Sequence, residues 1–172
     1  MRLIHIPTIL ICEYQGEEIP PYAILSHTWN EEEASFSDFQ DGKGPSMQGY
    51  QNILGCCRQA ASDSLDAVVS WWIYTCCINK RGPAEVSEAV NSMFKWYQKA
   101  GICYEYLDDI NSDNNSANIA RLPASFPKSR WFTRGWTLQE LLAPSVVVFY
   151  SHVRSVLAVV ATLRKLLHNS NK

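Results

Sequence analysis

A chain of 172 residues with 47% hydrophobic and 12% aromatic side chains is the size of one ordinary domain and carries enough apolar surface to close one core. Its formal charge of -2 and pI near 6.1 supply no positive field for phosphates, so no nucleic acid partner is expected. Met1 to Leu10 lacks the regions of a secretory leader, because Pro7 interrupts it and Glu13, Glu17 and Glu18 follow. The run Val156 to Leu163, between Arg154 and Arg164, falls well short of the roughly 20 apolar residues of a membrane span. The expectation is a cytoplasmic chain without a membrane span.

In chain order, Leu3, Ile4 and Ile6, then Ile9, Leu10 and Ile11, flank Pro7 and Thr8 and suggest a short β ribbon that Pro20 and Pro21 end. Tyr22 to Trp29 is a compact run around Ala23, Ile24 and Leu25, with Ser26, His27 and Thr28 at its exit, and is expected to be the first core strand. Tyr50, Ile53, Leu54, Cys57 and Ala61 recur at helical spacing. Leu65 to Ile73 is rich in Val and Trp and is the expected second core strand. Gly82 and Pro83 open a helix whose Val86, Ala89, Val90, Met93, Phe94 and Tyr97 form one apolar stripe, and Gly101 ends it.

Ile102 to Leu107 is the third expected core strand, Asn111 to Asn118 an exposed loop, and Val146 to Tyr150 the fourth strand. Val156 to Leu167 is expected to be a last helix. Strands separated by single helices require right-handed crossovers, hence an α/β fold, a mostly parallel sheet with helices on both faces. In the flavodoxin-like order 2-1-3-4, the first and third strands leave in opposite directions and open a crevice at their C-terminal ends. Ser26, His27 and Trp29 would rim it on one side, and the segment from Arg130 to Glu140 on the other.

The six cysteines include the adjacent pairs Cys56, Cys57 and Cys76, Cys77. Structural zinc sites separate paired thiolates by two to four residues, so no metal is expected and the thiols read as small buried hydrophobes. Trp131, Phe132, Arg134, Trp136 and Glu140 crowd into one segment, an aromatic wall beside a carboxylate. The same residues fit a blander arrangement: Thr137-Leu138-Gln139-Glu140 matches the T-x-x-E capping box, in which Glu140 bonds back to its own helix start. Lys128, Arg130 and Arg134 suit either a phosphate or a solvated charge cluster. No Gly-rich dinucleotide fingerprint or P-loop is present.

Three stretches resemble, in order, the HET domain of fungal heterokaryon-incompatibility proteins: Pro21-Tyr22-Ala23-Ile24-Leu25-Ser26-His27-Thr28-Trp29; Thr75-Cys76-Cys77-Ile78-Asn79-Lys80 with the helix Ser87 to Tyr97; and Ser129-Arg130-Trp131-Phe132-Thr133-Arg134-Gly135-Trp136-Thr137-Leu138-Gln139-Glu140-Leu141-Leu142-Ala143-Pro144. The resemblance runs from Met1 to about Tyr150 and implies a HET domain over residues 21–150, on which the expected ribbon over 1–20 packs; the expected C-terminal helix over 151–172 is a divergent or truncated tail. It also implies a module that triggers cell death in non-self recognition, with self-association or other HET or death-pathway proteins as partners.

HET domains are distantly similar to TIR domains, and Trp136-Thr137-Leu138-Gln139-Glu140-Leu141 looks like the TIR helix whose glutamate is catalytic in the members that hydrolyse NAD. By that resemblance Glu140 is the catalytic carboxylate, Ser26, His27, Trp29, Arg134 and Trp136 contact substrate, and NAD is a substrate, with no cofactor. The chain departs from the family pattern at Asn30, where glycine is usual, and at Tyr74 and Asn79, where aspartate is usual. A HET domain without activity, working as an assembly module, is the alternative these departures leave open.

Overall fold

The computed structural model describes residues 1–28, 32–62, 71–73, 75–112 and 122–161. The chain is α/β, with a four-stranded, mostly parallel sheet, helices and a short antiparallel N-terminal ribbon. It divides into two compact units, Met1–Ala23 with Trp29–Met93, and Ile24–Thr28 with Phe94–Lys172.

In the first unit, β1 (Arg2–His5) and β2 (Leu10–Glu13) form the expected ribbon, registered Leu3 to Cys12 and Ile4 to Ile11. β4 (Trp71–Ile73), the described end of the expected second core strand, pairs antiparallel with the other edge of β1. Leu3 and Ile4 are fully buried. A short helix not expected from the sequence, α1 (Phe36–Gln40), is opened by a capping box: the Ser35 side chain accepts from the Asp38 N–H, and the Asp38 carboxylate accepts from the Ser35 N–H.

α2 (Gln48–Ser62) follows the predicted spacing and buries Ile53, Cys56 and Cys57. Its second residue, Gly49, donates its N–H to the Glu32 carbonyl, and a Cβ there would lie 2.5 Å from both the Ala34 nitrogen and the Glu32 oxygen. Only glycine permits that approach.

α3 (Pro83–Lys99) begins at the predicted proline. Its buried face is narrower than expected: Ala89 and Tyr97 are buried, but Val90 and Phe94 are exposed. Val86, Ala89, Met93 and Tyr97 hold one line at three- and four-residue steps, and Val90 and Phe94 fall on its outer flank.

In the second unit the strands run in the order β3 (Ala23–His27), β5 (Ile102–Tyr106), β6 (Val146–Tyr150), β7 (Val156–Ala161). The first, third and fourth expected core strands therefore adjoin as predicted. β5 and β6 are parallel, with Cys103 opposite Val147 and Glu105 opposite Phe149. Every residue of β3 and β5 is buried, which suits strands covered on both faces.

The expected C-terminal helix is corrected over its described part. Val156–Ala161 is a strand, antiparallel to β6 with Val148 opposite Val159. The run is rich in β-branched valine, which packs well on a pleated surface, and its apolar periodicity by itself separates the two conformations poorly. The rest of that helix, most of the Asn111 to Asn118 loop, Trp29, Asn30 and Tyr74 lie outside the described residues.

Candidate functional site

The site lies within the second unit and is built from β3, β5 and the segment leading into α4 (Thr137–Leu142). That segment is fastened first at the exit of β5. Asp109 accepts from the Ser129 hydroxyl and from the Arg130 N–H, both at 2.7 Å, and Asp108 accepts from the Arg130 guanidinium at 2.8 Å. Arg130 is thus spent on holding the loop. A single 3-10 turn, Arg130–Thr133, then drives Trp131 into the core.

Trp131 is fully buried. Its ring stands edge-on to Phe132 at 4.9 Å and to Phe149 of β6 at 5.7 Å, while Phe126 meets Phe149 edge-on at 5.2 Å. This is the favoured geometry for aromatic pairs. The expected aromatic wall is in this part core packing.

The Trp131 indole N–H donates to Ser26 Oγ at 2.7 Å, which satisfies a polar atom that burial would otherwise leave costly. The Ser26 hydroxyl donates in turn to Glu140 Oε2 at 2.6 Å. Arg134 closes the cluster as a fork: Nη1 donates to Glu140 Oε2 at 3.0 Å and Nη2 to Oε1 at 3.2 Å, with Nη1 also 3.4 Å from Ser26 Oγ. Such bidentate pairing is the strong form of the interaction. Glu140 is 2% exposed, so its carboxylate is taken out of water and held by an arginine and a serine.

The capping-box arrangement is overturned. The N-cap of α4 is Trp136, with no side-chain cap bond, and the Thr137 hydroxyl donates to the Trp131 carbonyl at 2.8 Å. The helix begins one residue earlier than a box built on Thr137 requires. Glu140 is therefore free of capping and points at β3.

A second carboxyl belongs to the site and was not singled out by the sequence reading. Glu105, in the middle of β5, is fully buried. The Cys103 thiol donates to its Oε1 at 3.2 Å, and its Oε2 has no partner. Burial, and then the charge of Glu140, push its pKa up to about 8, while the nearby Ser26 hydroxyl, the Cys103 thiol and the charge of Arg134 oppose the rise. The signal was present in the sequence as one acid inside an otherwise apolar strand, Ile102-Cys103-Tyr104-Glu105-Tyr106. Burial also pushes up the Tyr97 phenol and the Cys103 thiol beside it.

Of the expected site residues, the structure brings Ser26, Arg134 and Glu140 together. His27 is buried, and as the next residue of an extended strand its side chain leaves from the face opposite Ser26. Trp136 is 46% exposed at the start of α4. Trp29 lies outside the described residues.

In the first unit, Asn79 lies in the turn that precedes α3. Its side-chain oxygen accepts from the Arg81 N–H at 3.1 Å, and its own N–H donates to Glu85 Oε1 at 2.8 Å, an Asx turn that aspartate forms equally well. Cys76 is fully buried, and burial pushes its thiol well above the ordinary range, which removes it as a nucleophile. Among the described residues no group of three or more His, Cys, Asp or Glu side chains is placed to hold a metal ion, and no helix is long and apolar enough to cross a membrane.

An α/β unit with a buried acidic cluster at the strand exits defines the class of domain, and comparison with known proteins gives the family. The profile of the heterokaryon incompatibility protein (HET) family matches residues 22–127. The chain is 44% identical over 155 residues, 88% of its own length, to vegetative incompatibility protein HET-E-1 of Podospora anserina. The chain belongs to the HET family. It spans 11% of the length of that relative, and no solved structure matches it.

Proposed function

We propose that this chain is the death-inducing module of a vegetative-incompatibility system, and that it acts by hydrolysing NAD at Glu140. The observation that carries the chemistry is the placement of Glu140: its carboxylate is turned away from its own helix start and held at the exit of β3 by Ser26 and Arg134. The likeness of Trp136 to Leu141 to the TIR glutamate helix supports the same residue.

Cleavage of the bond between nicotinamide nitrogen and ribose C1′ sends the electron pair to nicotinamide and leaves an oxocarbenium-like ribosyl group. A carboxylate beside C1′ stabilises that charge, and water adds there with loss of a proton. Arg134 reaches solvent with 22% of its side chain. The substrate pyrophosphate would compete with Glu140 for its guanidinium and so uncover the carboxylate as it binds. Trp136 is exposed enough to stack on a base.

The test is nicotinamide release from NAD by the purified, concentrated chain. Wild type should turn over and Glu140→Ala should fall to background; equal rates would end the catalytic reading.

One observation favours assembly without catalysis. Both oxygens of Glu140 are already occupied, while Trp136, Leu138 and Leu142 stand 46%, 70% and 62% exposed along α4. Self-association or association with other HET or death-pathway proteins would cover them. A chain that remains monomeric by light scattering at all concentrations, alone and with such partners, would exclude this reading.

A further inference from the structure

The Ser26 hydroxyl has one proton to donate, and it goes to Glu140, while its lone pairs face the Trp131 indole N–H and Arg134. Glu105 lies against the same serine and feels the charges of Glu140 and Arg134. Its Oε2 is buried without a partner. That vacancy costs far less in a neutral acid than in a carboxylate.

With Glu105 neutral, the buried charges are one carboxylate and one guanidinium, and they balance. With Glu105 ionised, two carboxylates share one arginine and one serine proton, the arrangement in which like charges resist joint ionisation.

We infer that Glu105 is a positioning residue for Glu140: as a neutral acid it leaves the Ser26 proton and the Arg134 fork to Glu140, and on losing its own proton it competes for both and loosens the site. The groups facing it are Glu140 from α4, Arg134 from the preceding loop, Cys103 from its own strand, Tyr97 from α3 and the Ser26 hydroxyl from β3. Tyr97 and Cys103 are pushed well above their ordinary values by burial, so they stay neutral where Glu105 titrates. This deepens the reading of Glu140 as the acting carboxylate, but it can be tested without activity.

The reporter is the Trp131 indole N–H, which donates to Ser26 and is sealed from solvent. Its magnetic resonance signal, assigned by its disappearance in Trp131→Phe, is followed in the isotope-labelled chain from about pH 5 to about pH 10, a range that begins near the ordinary carboxyl value. In wild type it should shift with a midpoint near 8. In Glu105→Gln it should stay flat, and in Glu140→Gln the midpoint should fall, because the charge that raises it is gone.

A flat wild-type signal, or the same titration in Glu105→Gln, overturns the proposal. If Glu105→Gln does not fold, Glu140→Gln decides alone, and an unmoved midpoint overturns it. Where NAD cleavage is measured, the wild-type rate should decline as pH rises through the same midpoint and Glu105→Gln should hold its rate; an identical decline in both counts against the inference. Absent cleavage with the indole titration intact removes the catalytic reading and leaves the role of Glu105 standing.

Discussion

Ser26 of β3 and Glu140 of α4, 114 residues apart in the chain, are joined by a hydrogen bond of 2.6 Å in which the serine donates. The bond holds the start of α4 at the exit of β3. It is a buried link between a neutral donor and a charged acceptor, a kind that contributes roughly 1.5–3 kcal/mol. Trp131 and Arg134 converge on the same oxygen, so the helix, the turn before it and the strand are registered through one atom.

The Arg134 and Glu140 pair should reveal itself in stability. Arg134→Met leaves a carboxylate 2% exposed with only Ser26 to hold it. Loss of a buried partner costs roughly 3–5 kcal/mol, and the partial exposure of Arg134 places this case near about 3. Adding Glu140→Gln to Arg134→Met should recover at least about 1 kcal/mol by removing the stranded charge. Urea unfolding of the two single variants and the double variant checks the cycle.

Glu105 should make the chain less stable as pH rises. Its folded pKa of about 8 lies above the ordinary 4.5, so the folded state binds the proton more tightly than the unfolded state. The stabilisation is complete below the unfolded value and is lost progressively from 4.5 to about 8. The loss from this group is on the order of 5 kcal/mol. Glu105→Gln should remove that slope and be more stable than wild type above the folded value. Urea midpoints at about pH 5 and about pH 9, on either side of that window, should differ much less in the variant.

Gly49→Ala should weaken the first unit. The added methyl group would sit 2.5 Å from backbone atoms of Glu32 and Ala34, which cannot rotate away as a side chain can. Overpacking of this kind costs typically 1–3 kcal/mol, and a clash with backbone belongs at the upper end, about 3. The melting midpoint should fall accordingly, whereas Gly135→Ala, with open space at the added atom, should change it little.

Much of the architecture follows from local pattern. Pro83, Glu85 and the three- and four-residue recurrence through Tyr97 specify α3, and the short apolar runs at Ala23 and Ile102 specify β3 and β5, because proline geometry, helix dipole and side-chain period act within a few residues. The strand at Val156–Ala161 was not legible in that way, since what makes it a strand is the neighbouring edge of β6. The duty of Glu140 was undecided for a related reason: the pattern Thr137 to Glu140 suits a cap, and only Trp136 taking the N-cap position removes it.

The sequence by itself determined which residue types stand at the strand exits and which acid follows the tryptophan-rich turn. Tertiary structure alone decided that Ser26, Glu105, Arg134 and Glu140 share one buried volume. Hydrogen bonds and charges act over a few ångströms of space, and a chain order that separates Ser26 from Glu140 by 114 residues carries no record of that distance.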